Sequence, residues 1–107
     1  MILITIKKCN SGYLEFKSEG HASQKFGKRG NNILCAAISV LAQTLGIHLE
    51  SKGLLQEYFT SEEEGSSRFV VNEKYVDQAT IPFETILSGI NTLSRMHPKE
   101  VQVKICT

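Results

Sequence analysis

The sequence predicts an α+β fold of order β-β-α-β-β-α-β: a mainly antiparallel sheet with two helices packed on it. Three observations predict it. Ile2, Ile4 and Ile6 alternate with Leu3, Thr5 and Lys7, the period-two pattern of a strand. Residues 33–49 carry Ile33, Leu34, Ala36, Ala37, Ile38, Val40, Leu41, Leu45 and Ile47, apolar on almost every side of a helix. Phe83, Ile86, Leu87, Ile90 and Leu93 fall at helical spacing and form one apolar stripe.

The elements follow in order. Asn10-Ser11-Gly12 supplies turn chemistry after the first strand. Residues 13–17 alternate again, with Leu14 and Phe16 on one face, so the N-terminus reads as a hairpin. From residue 18 to residue 32 apolar residues are almost absent. This segment, with Gly20, Gly27, Gly30, Lys25, Lys28 and Arg29, reads as a long loop, functional or disordered. Asn31-Asn32 ends it, and asparagine is a good N-cap. A helix apolar all round belongs in the middle of a domain, and Ala36 and Ala37 leave room for another backbone. Residues 53–60 and 67–72 read as two strands joined by a turn at Glu62-Glu63-Glu64-Gly65. Pro82 marks the first turn of the second helix, with Glu84 near its positive end. His97-Pro98 stops that helix, and Val101, Val103 and Ile105 alternate in a last strand.

A chain of 107 residues suits a single domain spanning 1–107. Twelve basic residues against 11 acidic ones give no bulk charge for holding nucleic acid. Residues 1–6 are apolar but short, ending at Lys7 and Lys8, unlike a secretory signal. The apolar runs fall short of the roughly 18 residues a membrane span needs. A cytoplasmic location is therefore expected. Three cysteines (Cys9, Cys35 and Cys106) without a signal segment read as reduced thiols rather than a disulfide framework.

Cys35 stands out by position. With Asn32 as N-cap it is the third residue of the helix, close to unpaired backbone N–H groups and the positive end of the helix dipole. That setting favours a thiolate, the reactive form of the group. The amides of Cys35 and Ala36 are candidate donors to an oxyanion. His21, in Gly20-His21-Ala22, is the candidate base, able to take the thiol proton and later return one to a leaving amine. Taken alone, Cys35 reads as a packed helical cysteine and His21 as a surface histidine; together they point to nucleophilic catalysis. His48 and His97 read as surface residues near helix C-termini. No paired spacing such as C-x-x-C or H-x-x-x-H supports zinc, so neither metal nor other cofactor is expected. The loop also lacks a phosphate-binding fingerprint. The Glu62-Glu63-Glu64 turn reads as a solvated hairpin tip, or as an attraction for a basic substrate.

Gly20-His21-Ala22, then Gly30, then Ile33-Leu34-Cys35-Ala36-Ala37-Ile38-Ser39, resembles the bacterial ribosomal-processing cysteine protease family, the Prp family. The resemblance extends over the whole chain. It implies a cysteine endopeptidase, cytoplasmic and metal-free, that removes a short N-terminal extension from a large-subunit ribosomal protein. It also implies a homodimer with the histidine on a mobile loop. By motif it makes His21 the base and Cys35 the nucleophile, with Asn32, Ala36 and Ser39 as supporting residues. Gly20, Ala22, Gly27 and Gly30 belong to a substrate-binding loop that orders over bound peptide and leaves the histidine away from the cysteine without it. Ser39 would lie one helical turn from Cys35. Asn32 stands where the family usually carries Asp. An amide there still caps the helix and can orient an imidazole. The other reading is a non-catalytic ribosome- or RNA-binding module, with Lys25, Lys28 and Arg29 on phosphate and Asn32 marking a degenerate active site.

Overall fold

The computed structural model describes residues 1–28, 32–61 and 65–107. The expected arrangement is present: β1 (Ile2–Cys9), β2 (Gly12–Gly20), α1 (Ile33–Ser51), β3 (Leu55–Ser61), β4 (Ser66–Val71), α2 (Val76–Met96) and β5 (Val101–Cys106). Two single 3-10 turns, Gln24–Phe26 and Glu73–Tyr75, were not expected. The sheet order is β3-β4-β2-β1-β5, antiparallel except for β1 and β5, which run parallel. Parallel neighbours need a crossover, and α2 provides the return path from β4 to β5. The turn expected at Glu62, Glu63 and Glu64 lies outside the described residues, as do Arg29, Gly30 and Asn31.

One face of the sheet is covered. Ile2, Ile4, Ile6, Phe16, Phe69, Val71 and Val101 point into the core. Here α1 lies over β3 and β4, α2 lies over β2 and β5, and the two helices touch. The hairpin differs from expectation. Lys7 pairs with Glu15 and Lys8 with Tyr13, so Leu14 is an extra residue in a β-bulge. The bulge puts Tyr13 and Phe16, not Leu14 and Phe16, on the buried face. Tyr13 stacks on Phe83 at 4.9 Å and Phe16 on Phe69 at 4.9 Å. On the other face Arg68 ties Glu15 and Glu57 across three strands, at 2.7 Å to each, so that face stays polar.

The first helix is not buried on every side. Leu34, Ile38, Ala42, Leu45 and Leu49 are buried, while Ile33, Val40 and Ile47 are 70%, 64% and 60% exposed. Its length and mean hydropathy of 1.6 would suit a membrane span, contrary to the sequence expectation, but its buried face is committed to the sheet. The close approach falls at Gly46 rather than at Ala36 and Ala37. A Cβ on Gly46 would sit 2.9 Å from the Tyr58 hydroxyl and 3.3 Å from Phe69. The second helix begins six residues before Pro82, at Val76, with Asp77 rather than Glu84 in its first turn. Pro82 therefore lies inside the helix, where one i to i−4 hydrogen bond is lost. The packing of Val76, Ala79 and Phe83 carries the helix through it.

Phe69 is 1% exposed and meets Phe16, Tyr58 and Phe83. Phe69→Ala is expected to cost about 3–5 kcal/mol, read as a lowered urea midpoint at unchanged slope.

Candidate active site

The site is built where the start of α1 meets the end of β2. Ile33, the first helical residue, follows an extended Asn32, whose side-chain Oδ1 accepts from the N–H groups of Leu34 (3.1 Å) and Cys35 (3.0 Å). This is the expected N-cap. The other end of the same side chain reaches the loop: Nδ2 donates to the carbonyls of Ser23 and Gly27, both at 3.0 Å. Asn32 is 6% exposed, so these four bonds hold a buried polar group. Its amide is fully engaged, and orienting an imidazole, as the sequence suggested, is not its work here.

On the strand side, β2 continues to Gly20, so the irregular segment is shorter than the 18–32 expected. Gly20 pairs with Ile2 at φ +95°, and a Cβ there would collide with the Met1 carbonyl oxygen. A glycine is needed for the chain to turn off the sheet at that point. His21, Ala22 and Ser23 follow. The Met1 nitrogen donates to the His21 carbonyl, and the Ser23 N–H donates to Glu100 Oε2 at 2.5 Å. That N–H, foremost, holds the Glu100 carboxyl below its ordinary range, with Lys25 adding to the effect. Farther along, Phe26 meets the His97 ring edge-on at 5.0 Å.

These restraints bring the Ala22 N–H to the Cys35 sulfur, 3.2 Å away. Cys35 is half-buried and lines a cleft. The His21 ring is exposed and lies against Gly65, where a Cβ would meet Nε2 at 2.6 Å. Among the described residues no hydrogen bond joins the ring to the sulfur, but both groups line one cleft of about 930 Å³. Gly20, Ala22, Gly27, Asn32, Ala36 and Ser39 line it as well. Gly30 lies outside the described residues.

The two amides expected to receive an oxyanion are already paired. The Cys35 N–H is spent on Asn32 Oδ1 and the Ala36 N–H on the Asn32 carbonyl, both at 3.0 Å. Neither amide is free to hold an oxyanion. Ser39 is exposed and accepts from Gln43 Nε2 at 2.9 Å. Sequence reasoning passed over Gln43, although an i, i+4 pair on one face was a readable signal. It also passed over Tyr58, Thr60, Ser66 and Ser67, which form the opposite wall. Glu100 carried no local signal, since its partner is 77 residues away. A second hollow, of about 330 Å³, surrounds Cys9. The backbone N–H of Ser11 is the main cause that lowers the Cys9 thiol pKa. Among the described residues Asn10, Ser11, Leu14 and Glu73 line that hollow with Cys9, and no histidine does. Among the described residues no three His, Cys, Asp or Glu side chains converge as metal ligands would.

A family model described as cysteine protease Prp matches residues 1–102. This chain belongs to the Prp family of cysteine proteases. Among solved structures, SMU.848 from Streptococcus mutans is 28% identical, covering 100% of this chain and 98% of its own, at TM-score 0.78. The essential ribosomal processing protease Prp from S. aureus was solved with a substrate peptide (16% identity, TM-score 0.79) and with a covalently linked product peptide (17%, 0.84). Each of those comparisons covers 98% of this chain and 99% of that one, and at such identity it establishes a shared fold. No curated protein compared with the chain matches it.

Against the aspartate usual in the Prp family, Asn32 now has a physical reason. A carboxylate would keep the cap but turn an oxygen toward the carbonyls of Ser23 and Gly27. Asn32→Asp is expected to lower stability at neutral pH by about 1–3 kcal/mol, seen as a drop in Tm. Ser23 Oγ, in contrast, is buried with no hydrogen-bond partner among the described residues. Ser23→Ala is therefore expected to leave Tm unchanged or raise it slightly; a clear loss would show that the hydroxyl has a partner.

Proposed function

We propose that this chain is a Cys-His endopeptidase that trims the N-terminal extension of a large-subunit ribosomal protein, with Cys35 as nucleophile and His21 as base. The observation that carries the reading is that Cys35, half-buried at the start of α1, lines the same cleft as His21. The peptides bound by the S. aureus protein, which shares the fold, support a peptide substrate. A cytoplasmic location and a homodimer belong to the same proposal.

The chemistry follows from the atoms present. His21 takes the thiol proton, and the Cys35 sulfur attacks the scissile carbonyl carbon, forming a C–S bond. Negative charge develops on the carbonyl oxygen beside the sulfur. Ala22 N–H, already aimed at the sulfur, is the donor best placed to receive it. Collapse breaks the C–N bond, and the His21 imidazolium gives its proton to the leaving amine. Water, deprotonated by His21, then attacks the thioester, breaks the C–S bond and frees the thiolate. His21 rests against Gly65 and must swing toward the sulfur, a motion that bound peptide can drive.

The test uses a peptide spanning the extension junction of the ribosomal protein from the same organism, with cleavage read by mass spectrometry. Cys35→Ala and His21→Ala are each expected to lower the rate by at least about a thousandfold. Undiminished cleavage in either variant removes that residue from the mechanism. Thiol labelling uses a background with both Cys9→Ser and Cys106→Ser, because these are free cysteines beside Cys35. Labelling of Cys35 that fails near neutral pH, together with steeply salt-dependent RNA binding, would favour the binding-module reading.

A further inference from the structure

We infer that Glu100 is a positioning residue for the protease site: from the turn between α2 and β5 it holds the segment His21-Ala22-Ser23 in place, jointly with Asn32. The inference rests on the protease reading above and adds a residue outside the Cys-His pair.

The argument starts from how short the segment is. His21 is the first residue past β2, and three residues later the chain enters the Gln24–Phe26 turn. Gly20 at φ +95° gives the chain its exit from the sheet but does not say where it goes next. Ser23 supplies that information, because both of its backbone polar groups are taken by side chains. Its N–H goes to Glu100 Oε2 at 2.5 Å, and its carbonyl accepts from Asn32 Nδ2 at 3.0 Å. The two side chains come from different elements, the α2–β5 turn and the cap of α1, so Ser23 is gripped from two sides. Its neighbour Ala22 is 8% exposed and points its N–H at the Cys35 sulfur.

Glu100 is itself well anchored. Its N–H donates to the His97 carbonyl, and its carbonyl accepts from Ile2 N–H at 2.7 Å, next to the Ile2–Gly20 pair. The carboxylate and the end of β2 are therefore fixed to each other through β1. Phe26 against His97 ties the far side of the loop to the same turn. Loss of the Glu100 acceptor leaves the Ser23 N–H unpaired and the segment held only from the Asn32 side. The cost falls on the alignment of His21 and Ala22 with the sulfur, to which rates are sensitive: a misplacement of about 1 Å can cost roughly a hundredfold.

The experiment compares wild type, Glu100→Ala and Glu100→Gln. The glutamine keeps a side-chain carbonyl that can accept from Ser23, and it removes only the charge. Amide hydrogen exchange at Ala22 and Ser23 is followed by NMR, alongside kcat and KM on the extension peptide. In Glu100→Ala, exchange at Ser23 is expected to rise roughly tenfold or more and kcat to fall by a similar factor, with smaller change in KM. Glu100→Gln is expected to restore most of both. The inference is overturned if Glu100→Ala keeps wild-type protection at Ser23, or loses it while kcat stays within about twofold. It is also overturned if Glu100→Gln is as impaired as the alanine variant in both readouts. A wild type that fails to cleave the peptide would count against the protease reading alone; exchange at Ser23 still decides whether Glu100 grips the segment.

Discussion

The site depends on one side chain being an amide. Asn32 presents an oxygen to the helix and a nitrogen to the loop, and each end meets two partners of the opposite kind. A helix start offers donors, because its first N–H groups have no partner within the helix. A loop folded back on itself offers carbonyls. Only a group carrying both an acceptor and a two-hydrogen donor joins them without leaving a buried charge or an unmatched polar atom. The cap of α1 and the closure of the loop thus share one side chain, and Cys35 is placed by the same amide that ends the loop.

From that joint the division of labour follows. Cys35 sits on a rigid helix whose inner face is held by Leu34, Ile38, Ala42 and Leu45, and whose close contact at Gly46 fixes its height above β3 and β4. His21 sits at the end of a strand, with its backbone restrained and its ring exposed. In the proposed pair one group is therefore set by the core, and the other turns over a cleft walled by α1 and the strand ends of β3 and β4. Such a pairing lets peptide enter before the base comes to the sulfur.

What could be read in the sequence was what local periodicity encodes. The alternation of Ile2, Ile4 and Ile6, the stripe from Phe83 to Leu93, and Asn32 as cap each depend on residues a few positions apart. Gly20-His21-Ala22 and Cys35 were legible as a motif, and the structure brings both motifs to one cleft. The misses have a common cause. The bulge at Leu14 is visible only once β1 is paired with β2, and the parallel pairing of β1 with β5 only once the chain is closed. Pro82 looked like a helix start because a proline inside a helix is costly, and tertiary packing of the residues before it outweighs that cost. The exposed side of α1 could not be told from its buried side, since both are apolar. The amides of Cys35 and Ala36 looked free because the sequence does not show that Asn32 takes both.

The absence of the family aspartate is where sequence and structure differ most in what they suggest. By sequence, an amide at this position weakens support for a charged histidine and invites a reading of lapsed function. By structure, the amide faces away from that task and meets Ser23 and Gly27, whose carbonyls a carboxylate would repel. A carboxylate is still present at the segment that carries the histidine, supplied from the far end of the chain by Glu100 through the Ser23 N–H. Position along the sequence is thus a poor guide to which acid serves the site. The fold presents the amide where carbonyls converge and the carboxylate where an N–H is exposed, and each group sits where its hydrogen-bonding capacity is matched.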